Sequence, residues 1–325
     1  MLKPVLKSAV GVVAALCFST TAAWAQQDTT RIIVPFAAGG PIDVSARVLA
    51  EAIKEDLGTV IVENRPGAGG NIGVDYVAKS KPDGKTIGIA TLASHAVNPW
   101  LFSEIPFDAE KDFEAVSNMV VVPNVLVMNK EHADELGIDT IADLIQYAKE
   151  NPNKLDYGSG GNGSGGHLAG ELFKKQAGID VVHIPYNGGA PAQKALLAAE
   201  VDFTFDNLAT AAPNIQNGML KALAVTTEER SEILPELPTM KESGLEDFSI
   251  STWWGLVVPA GTPAETVEKL NAAFTKGMQD ETVKERFGRL LVSPAPSTAQ
   301  EFEEFMRMER ERYEEIVELA GARVD

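Results

Sequence analysis

Two glycine-rich turns constrain this chain most, because each stands between a short extended run and an amphipathic helix. The first reads Val34-Pro35-Phe36-Ala37-Ala38-Gly39-Gly40-Pro41-Ile42-Asp43. The second reads Tyr157-Gly158-Ser159-Gly160-Gly161-Asn162-Gly163-Ser164-Gly165-Gly166-His167-Leu168. A helix N-terminus carries unpaired backbone N–H groups and the positive end of the helix dipole, so it attracts anions. Glycine lets a ligand come close to the backbone. Two such turns, about 120 residues apart, can close on one small anion from opposite sides.

The rest of the chain reads as alternating strands and helices. In the N-terminal third, strands are expected at 31–36, 60–63 and 86–91, with helices at 43–57 and 72–79. The 43–57 helix has Val44, Val48, Leu49, Ile53 and Leu57 on one face and ends at Gly58. The middle repeats the pattern. An apolar run at 120–128 precedes a helix at 140–149 capped by Thr140. Strands at 155–158, 181–185, 201–205 and 222–226 alternate with helices at 167–177 and 191–199. The last third holds a strand at 254–258 and helices at 263–278, 281–286 and 298–319, the last with Phe302, Phe305, Met306 and Tyr313 facing inward. Such alternation implies an α/β fold with a largely parallel sheet covered on both faces. The C-terminal portion is too short for a third βα core. The chain therefore crosses between two lobes near 122–127 and returns near 246–252, with Trp253-Trp254 as hinge or core packing at the return. Ligand would lie between the lobes, at the carboxyl ends of their strands.

Residues 1–25 have the form of a secretory signal peptide. Lys3 and Lys7 precede an apolar run of about ten residues, and Ala23-Trp24-Ala25 supplies an A-x-A cleavage site. That run is too short to span a bilayer. Leu16 before Cys17 argues against a lipid anchor. Cleavage removes the single cysteine, so disulfides, thiolate nucleophiles and cysteine metal sites are excluded. It also removes two lysines, taking the formal charge from −18 to −20. So acidic a protein is expected to be a monomer with no affinity for nucleic acid or an anionic membrane. Anions must then be held by local groups, above all backbone N–H donors.

Other chemistries fit less well. Gly161-x-Gly163-x-x-Gly166 matches a dinucleotide fingerprint, but six glycines in nine residues produce such a match by chance. The G-x-S-x-G elbow is absent around both Ser159 and Ser164. A serine hydrolase would have to draw on Ser164 with His167, His183 or His95. Four histidines without an H-x-x-x-H pair give no metal site, and no cofactor is expected. Asp43 fits a capping role that orders the first turn. Phe36 and Tyr186, each joined directly to a glycine loop, fit as walls of the site.

These segments spell a known pattern. The chain resembles the periplasmic substrate-binding proteins of tripartite tricarboxylate transporters, often called Bug receptors. The resemblance rests on the two turns above and on Val62-Glu63-Asn64-Arg65-Pro66-Gly67-Ala68-Gly69-Gly70-Asn71-Ile72-Gly73. It rests also on Pro185-Tyr186-Asn187-Gly188-Gly189-Ala190-Pro191-Ala192, Leu223-Ala224-Val225-Thr226, Leu237-Pro238-Thr239-Met240 and Pro259-Ala260-Gly261-Thr262-Pro263. These keep the family's order over nearly all of the chain after the leader. Asn187 stands where the family often has lysine, and Lys85 where it often has an aromatic residue.

The resemblance implies a two-lobed type II periplasmic-binding-protein fold closing on ligand like a flytrap. Its lobes would be 26–126 plus 249–325, and 127–248. It implicates Phe36, Ala38, Gly39, Asp43, Thr91 and Ser94 in the first lobe. In the second it implicates Ser159, Asn162, Gly163, Ser164, His167, Tyr186 and Gly188, with Asp206 and Asn207 at the far wall. Recognition would fall to backbone amides, a few hydroxyls and ordered water. The expected function is a non-catalytic periplasmic receptor for a di- or tricarboxylate or an aromatic acid, docking on an integral-membrane permease. A receptor feeding a sensor kinase is the alternative, with a secreted hydrolase third. Gly163→Val is expected to block binding by intruding on the anion's approach.

Overall fold

The structure is a computed structural model that describes residues 29–186, 189–231 and 234–323. The proposed leader with Cys17, and Asn187 and Gly188, lie outside the described residues. Among the described residues no helix is long and apolar enough to cross a membrane.

Strand β1 (Thr30–Val34) is a run of β-branched residues with Ile32, Ile33 and Val34 fully buried, the pattern of a strand covered on both faces. Its neighbours β2 (Val60–Asn64) and β3 (Thr86–Thr91) run parallel to it, in registers Thr30↔Val60 and Arg31↔Thr86. Helices Pro41–Ala52 and Asn71–Ala78 make the crossovers. Three loops therefore leave the same carboxyl edge, at 35–40, 65–70 and 92–97.

The next strand, β4 (Phe113–Asn129), has 17 residues and carries the chain out of the first lobe. The second lobe repeats the parallel arrangement with β5 (Asp156–Ser159) between β6 (Val182–Pro185) and β7 (Phe203–Asn207). Strands β8 (Leu220–Val225), β9 (Ser251–Pro259) and the short β10 (Ser293–Pro294) are antiparallel to β4. The order is β2-β1-β3-β9-β4-β7-β5-β6, with β8 and β10 also on β4. The sheet is thus mixed: parallel in two triplets, antiparallel at the join.

That join is a change of partners along one strand. From Phe113↔Pro259 to Pro123↔Ser251, β4 pairs with β9. From Asn124↔Asn207 onward it pairs with β7, and from Val125↔Val225 with β8. The switch falls at Pro123, which has no N–H to give a ladder. Thr226, fully buried, ties the outgoing and returning segments together. Its N–H donates to the Asn124 carbonyl (2.9 Å), its Oγ1 accepts the Asn124 N–H (3.1 Å), and its carbonyl accepts the Ile250 N–H (2.9 Å). The hydroxyl also reaches the carbonyls of Asn124 and Ile250.

Strand alternation sends Trp253 and Trp254 to opposite faces, into two different hydrophobic clusters. One cluster fills the first lobe with Val34, Leu49, Val120, Trp254, Phe274 and Phe287. Another fills part of the second with Val127, Leu196, Val201 and Leu208. The largest cluster runs through both lobes, because helix Ala299–Leu319 brings Phe302, Met306, Tyr313 and Ile316 against them. The expected inward residues of that helix are buried or partly buried, and Glu309 is buried with them.

Thr226→Val keeps the volume but strips the hydroxyl from Asn124 and Ile250. Leaving a buried N–H without its acceptor costs about 1–3 kcal/mol. A urea midpoint lowered to that extent, with unchanged m-value, is the expected result.

Candidate functional site

The first turn is held from inside by a carboxylate. Pro41 opens the helix at a position where its missing N–H costs nothing, and Gly39 sits at φ +87°. Asp43, buried, accepts the Gly39 N–H (2.8 Å), Arg47 (2.9 Å) and the Asn64 side-chain amide (2.9 Å). The same amide donates to the Phe36 carbonyl (3.0 Å), and its oxygen accepts from Arg47 (2.9 Å). Burial pushes the Asp43 carboxyl up. The bonds from Arg47, Gly39 and Asn64 outweigh it and hold the group below its ordinary value. Asp43 therefore orders the turn. Ala37, Ala38 and Gly39 are left exposed, and the N–H groups of Ala37 and Ala38 have no acceptor among the described residues.

At the end of β3, Thr91 and Ser94 form a capping box around a single π-type turn, Leu92–Val97. Each hydroxyl accepts the other residue's N–H at 3.2 Å, and Ser94 Oγ lies 2.9 Å from His95 Nδ1. Ser94 is fully buried. Both side chains are turned into the loop they stabilise.

The second turn follows the same plan with different chemistry. Gly161 and Gly163 have φ +115° and +76°, and Gly166 packs so closely on the Phe205 carbonyl that a Cβ would lie 2.7 Å from it. Ser159 Oγ accepts the Gly161 N–H (3.1 Å) and lies 2.6 Å from His183 Nε2. Ser164 caps helix Gly165–Ala177 by accepting the His167 N–H (3.3 Å), and His167 Nδ1 accepts the Gly163 N–H (3.0 Å). Asn162 is exposed, while Ser159 and His167 are buried. The Tyr186 N–H donates to the Ser159 carbonyl (3.0 Å), which sets Tyr186 beside the turn. Asp206, at the end of β7, accepts from Gln193, Thr210 and the Asn207 N–H at 2.7–2.8 Å. Burial pushes its carboxyl up against these bonds. Asn207 caps helix Leu208–Gln216 through the Ala209 N–H (3.0 Å).

The lobes meet at the second turn. A Cβ on Gly163 would stand 2.8 Å from Leu101 Cδ2, and one on Gly165 would stand 3.4 Å from Asn124 Nδ2. The obstacle to a side chain at 163 is thus Leu101 of the opposite lobe, not only the path of an anion. Sequence reasoning named neither Leu101 nor the Arg47–Asn64 link. No periodic signal marks a one-turn helix such as Asn98–Leu101. Serine–histidine contacts form between Ser159 and His183 and between Ser94 and His95, while Ser164 Oγ and His167 Nδ1 each accept a backbone N–H of the turn. A cavity of about 940 Å³ opens elsewhere, beside the crossing strands at Val121, Pro123 and Ser251. Its cations Arg230, Lys284 and Arg312 are all engaged, with Glu242, Glu281 and the Ser249 carbonyl.

Two parallel triplets with N–H-bearing turns on facing carboxyl edges agree with the comparison to known proteins. The profile described as "Tripartite tricarboxylate transporter family receptor" matches residues 45–322. The chain belongs to this receptor family. Its members are periplasmic solute-binding proteins rather than enzymes. Protein BugT of Bordetella pertussis is 35% identical over 296 residues, covering 90% of each chain. Among solved structures, R. palustris Rpa4515 with adipate is 34% identical with a TM-score of 0.77, covering 91% of this chain and 98% of that one. MatC (Rpa3494) from Rhodopseudomonas palustris with bound malate is 30% identical with a TM-score of 0.73, covering 89% and 98%.

Three of this receptor's histidines are held neutral by burial: His95 at about 3, His183 at about 4, and His167 also below its ordinary value. As pH falls below about 6.5 the unfolded chain takes up protons that the folded one refuses. Stability is therefore intact above that pH and is lost toward pH 4, by up to about 1.4 kcal/mol per pH unit each for His95 and His183, with His167 adding in the same direction. Depressed carboxylates such as Asp43 add their loss only below the ordinary carboxylate range. Urea midpoints at pH 7 and pH 5 test this, and His95→Gln is expected to shrink the difference.

Proposed function

We propose that this chain is a periplasmic receptor that holds a small carboxylate between its first and second glycine turns and delivers it to a tripartite tricarboxylate-type permease. The observation that carries this reading is the matched pair of turns. In each, one or two N–H groups are anchored inward while neighbouring N–H groups are left without an acceptor among the described residues. Relatives that are 34% and 30% identical were solved with adipate and malate, which supports a dicarboxylate as the ligand class. A tricarboxylate or aromatic acid remains within the same chemistry. Phe36, Ala38, Gly39, Asn162, Gly163, Ser164 and Tyr186 would stand nearest the ligand. Asp43, Thr91, Ser94, Ser159, His167, Asp206 and Asn207 would act by fixing the loops around it.

The partner switch at Pro123 and the Thr226 tie support lobes of 26–126 plus 249–325, and 127–248. Hinge closure would bury the ligand, and secretion would require cleavage after Ala25. Charge-assisted bonds to backbone N–H groups contribute roughly 1.5–3 kcal/mol each. Several of them, less the cost of association, support micromolar binding, about −8 kcal/mol.

A thermal-shift panel of adipate, malate, citrate and benzoate tests the ligand class. At a hundred times its dissociation constant a true ligand adds about 2.7 kcal/mol of stability. No shift with any of the four would overturn the class as stated. With a binder in hand, Gly163→Ala is expected to weaken binding at least tenfold, since it strains the backbone and presses on Leu101. Adding Leu101→Ala is expected to restore part of that loss; unchanged affinity in both variants would remove the second turn from the site.

A further inference from the structure

We propose that His183, which lies outside the second turn, is a positioning residue for it, holding the turn jointly with His167. The proposal deepens the reading of the turn as part of the carboxylate site and rests on it.

His183 stands on β6 in register with Tyr157 of β5. Its ring lies between two others: Tyr157 at 4.8 Å and 25°, and His167 at 4.1 Å and 18°. Phe203 stacks on the far side of Tyr157 at 5.6 Å. The result is a ladder of four rings that begins in the core and ends at the turn. Each imidazole at the outer end secures one N–H of the turn. His167 Nδ1 takes the Gly163 N–H directly, and His183 fixes Ser159 Oγ, which takes the Gly161 N–H. The alternate N–H groups, those of Gly160 and Asn162, have no acceptor among the described residues. Two anchored amides therefore aim two free ones.

The choice of a neutral anchor has an electrostatic reason. In the first turn the anchor is a carboxylate, but its charge is offset by Arg47 at 2.9 Å. A second carboxylate beside an incoming anion would repel it, whereas a neutral imidazole accepts an N–H without adding charge. The charged groups facing the pair are Glu171 and Lys174 of the same helix as His167, bonded to each other at 2.9 Å. Tyr157 donates its hydroxyl to Glu171 at 2.7 Å. This nearly neutral set favours neither added charge. Protonating His167 at Nδ1 would set a proton against the Gly163 N–H, and two rings 4.1 Å apart cannot both carry charge cheaply. Acid therefore charges one ring before the other, and charge on His167 Nδ1 releases Gly163 while Ser159 Oγ still accepts the Gly161 N–H.

Amide exchange in ¹⁵N-glycine-labelled protein tests this without any ligand, so failure of the carboxylate panel and failure of this proposal are separate results. His183→Ala is expected to speed exchange at Gly161 and Gly163 by roughly fivefold to tenfold. Gly39, anchored by Asp43 in the other lobe, keeps its rate. His183→Gln, which can still bond Ser159, restores protection at Gly161. Ser159→Ala, a variant that leaves the stack intact, exposes Gly161 alone. In the wild type, acid lowers protection at Gly163 before Gly161. Unchanged exchange at both glycines in His183→Ala would overturn the proposal. So would equal acceleration at Gly39, which marks general loosening.

Discussion

When one strand of 17 residues serves two lobes in turn, the lobes cannot be placed independently. The register of β4 against β9 fixes where the first lobe ends, and its register against β7 and β8 fixes where the second begins. Because the side-chain period of a strand is two, slipping either pairing by one residue would turn Val125 and Val127 out of the second lobe's core. The carboxyl edges of both parallel triplets inherit their positions from this strand. So do the turns they carry, and Thr226 locks the return segment to the same point.

On that frame a strongly acidic protein can present sites for an anion. With a net charge of −18, long-range attraction is unavailable, and the donors must act at contact distance. Backbone N–H groups on turns and helix N-termini do this without a mobile cation. Their direction is the weak point, since a glycine-rich loop is free to move. Both turns answer it by spending some N–H groups on side chains, buried Asp43 in one and in the other buried Ser159 and His167 with half-buried His183 behind them. Rigidity of the remaining donors is gained at the expense of their number. Fewer donors held in place bind better than many that must be ordered on association.

Much of this was legible in the sequence. The strand–turn–helix units are local, so hydrophobic runs and turn residues located β1, β2, β3 and the helices after the first two to within a few residues. The Thr140 cap was marked by its own capping box. Helix Pro41–Ala52 ends earlier than the 43–57 reading because Ile53 leaves helical geometry before a further short turn. The longest strand was only half visible. Residues 113–119 bury Ser117 and Asn118, whose polar atoms are satisfied by Ser297 from 180 residues away, so no apolar run announces them. The site residues divide in the same manner. Glycines and turn serines are visible as a motif, whereas the roles of Leu101 and His183 arise from contacts between lobes and between strands that no spacing encodes.

Helix Ala299–Leu319 shows the same dependence on distant contacts, and its fastening is unequal. Toward the first lobe and the crossings its bonds are sheltered. Trp100 donates to the Arg310 carbonyl at 2.7 Å, Trp253 donates to buried Glu309 at 2.9 Å, and Arg312 reaches the Ser249 carbonyl. Burial pushes the Glu309 carboxyl up while Arg312 and Trp253 oppose that shift, so the group is costly to expose to any other arrangement. Toward the second lobe the polar fastening is an exposed Lys175–Glu315 pair, which holds two mobile side chains loosely in water. The remaining contact there is apolar, through Tyr313, Ile316 and Val317, and apolar surfaces slide where directional bonds do not. On hinge closure as proposed, a helix bound in this way would travel with the first lobe and let the second move across it. That is a reason to group residues 249–325 with the first lobe, although the helix touches both.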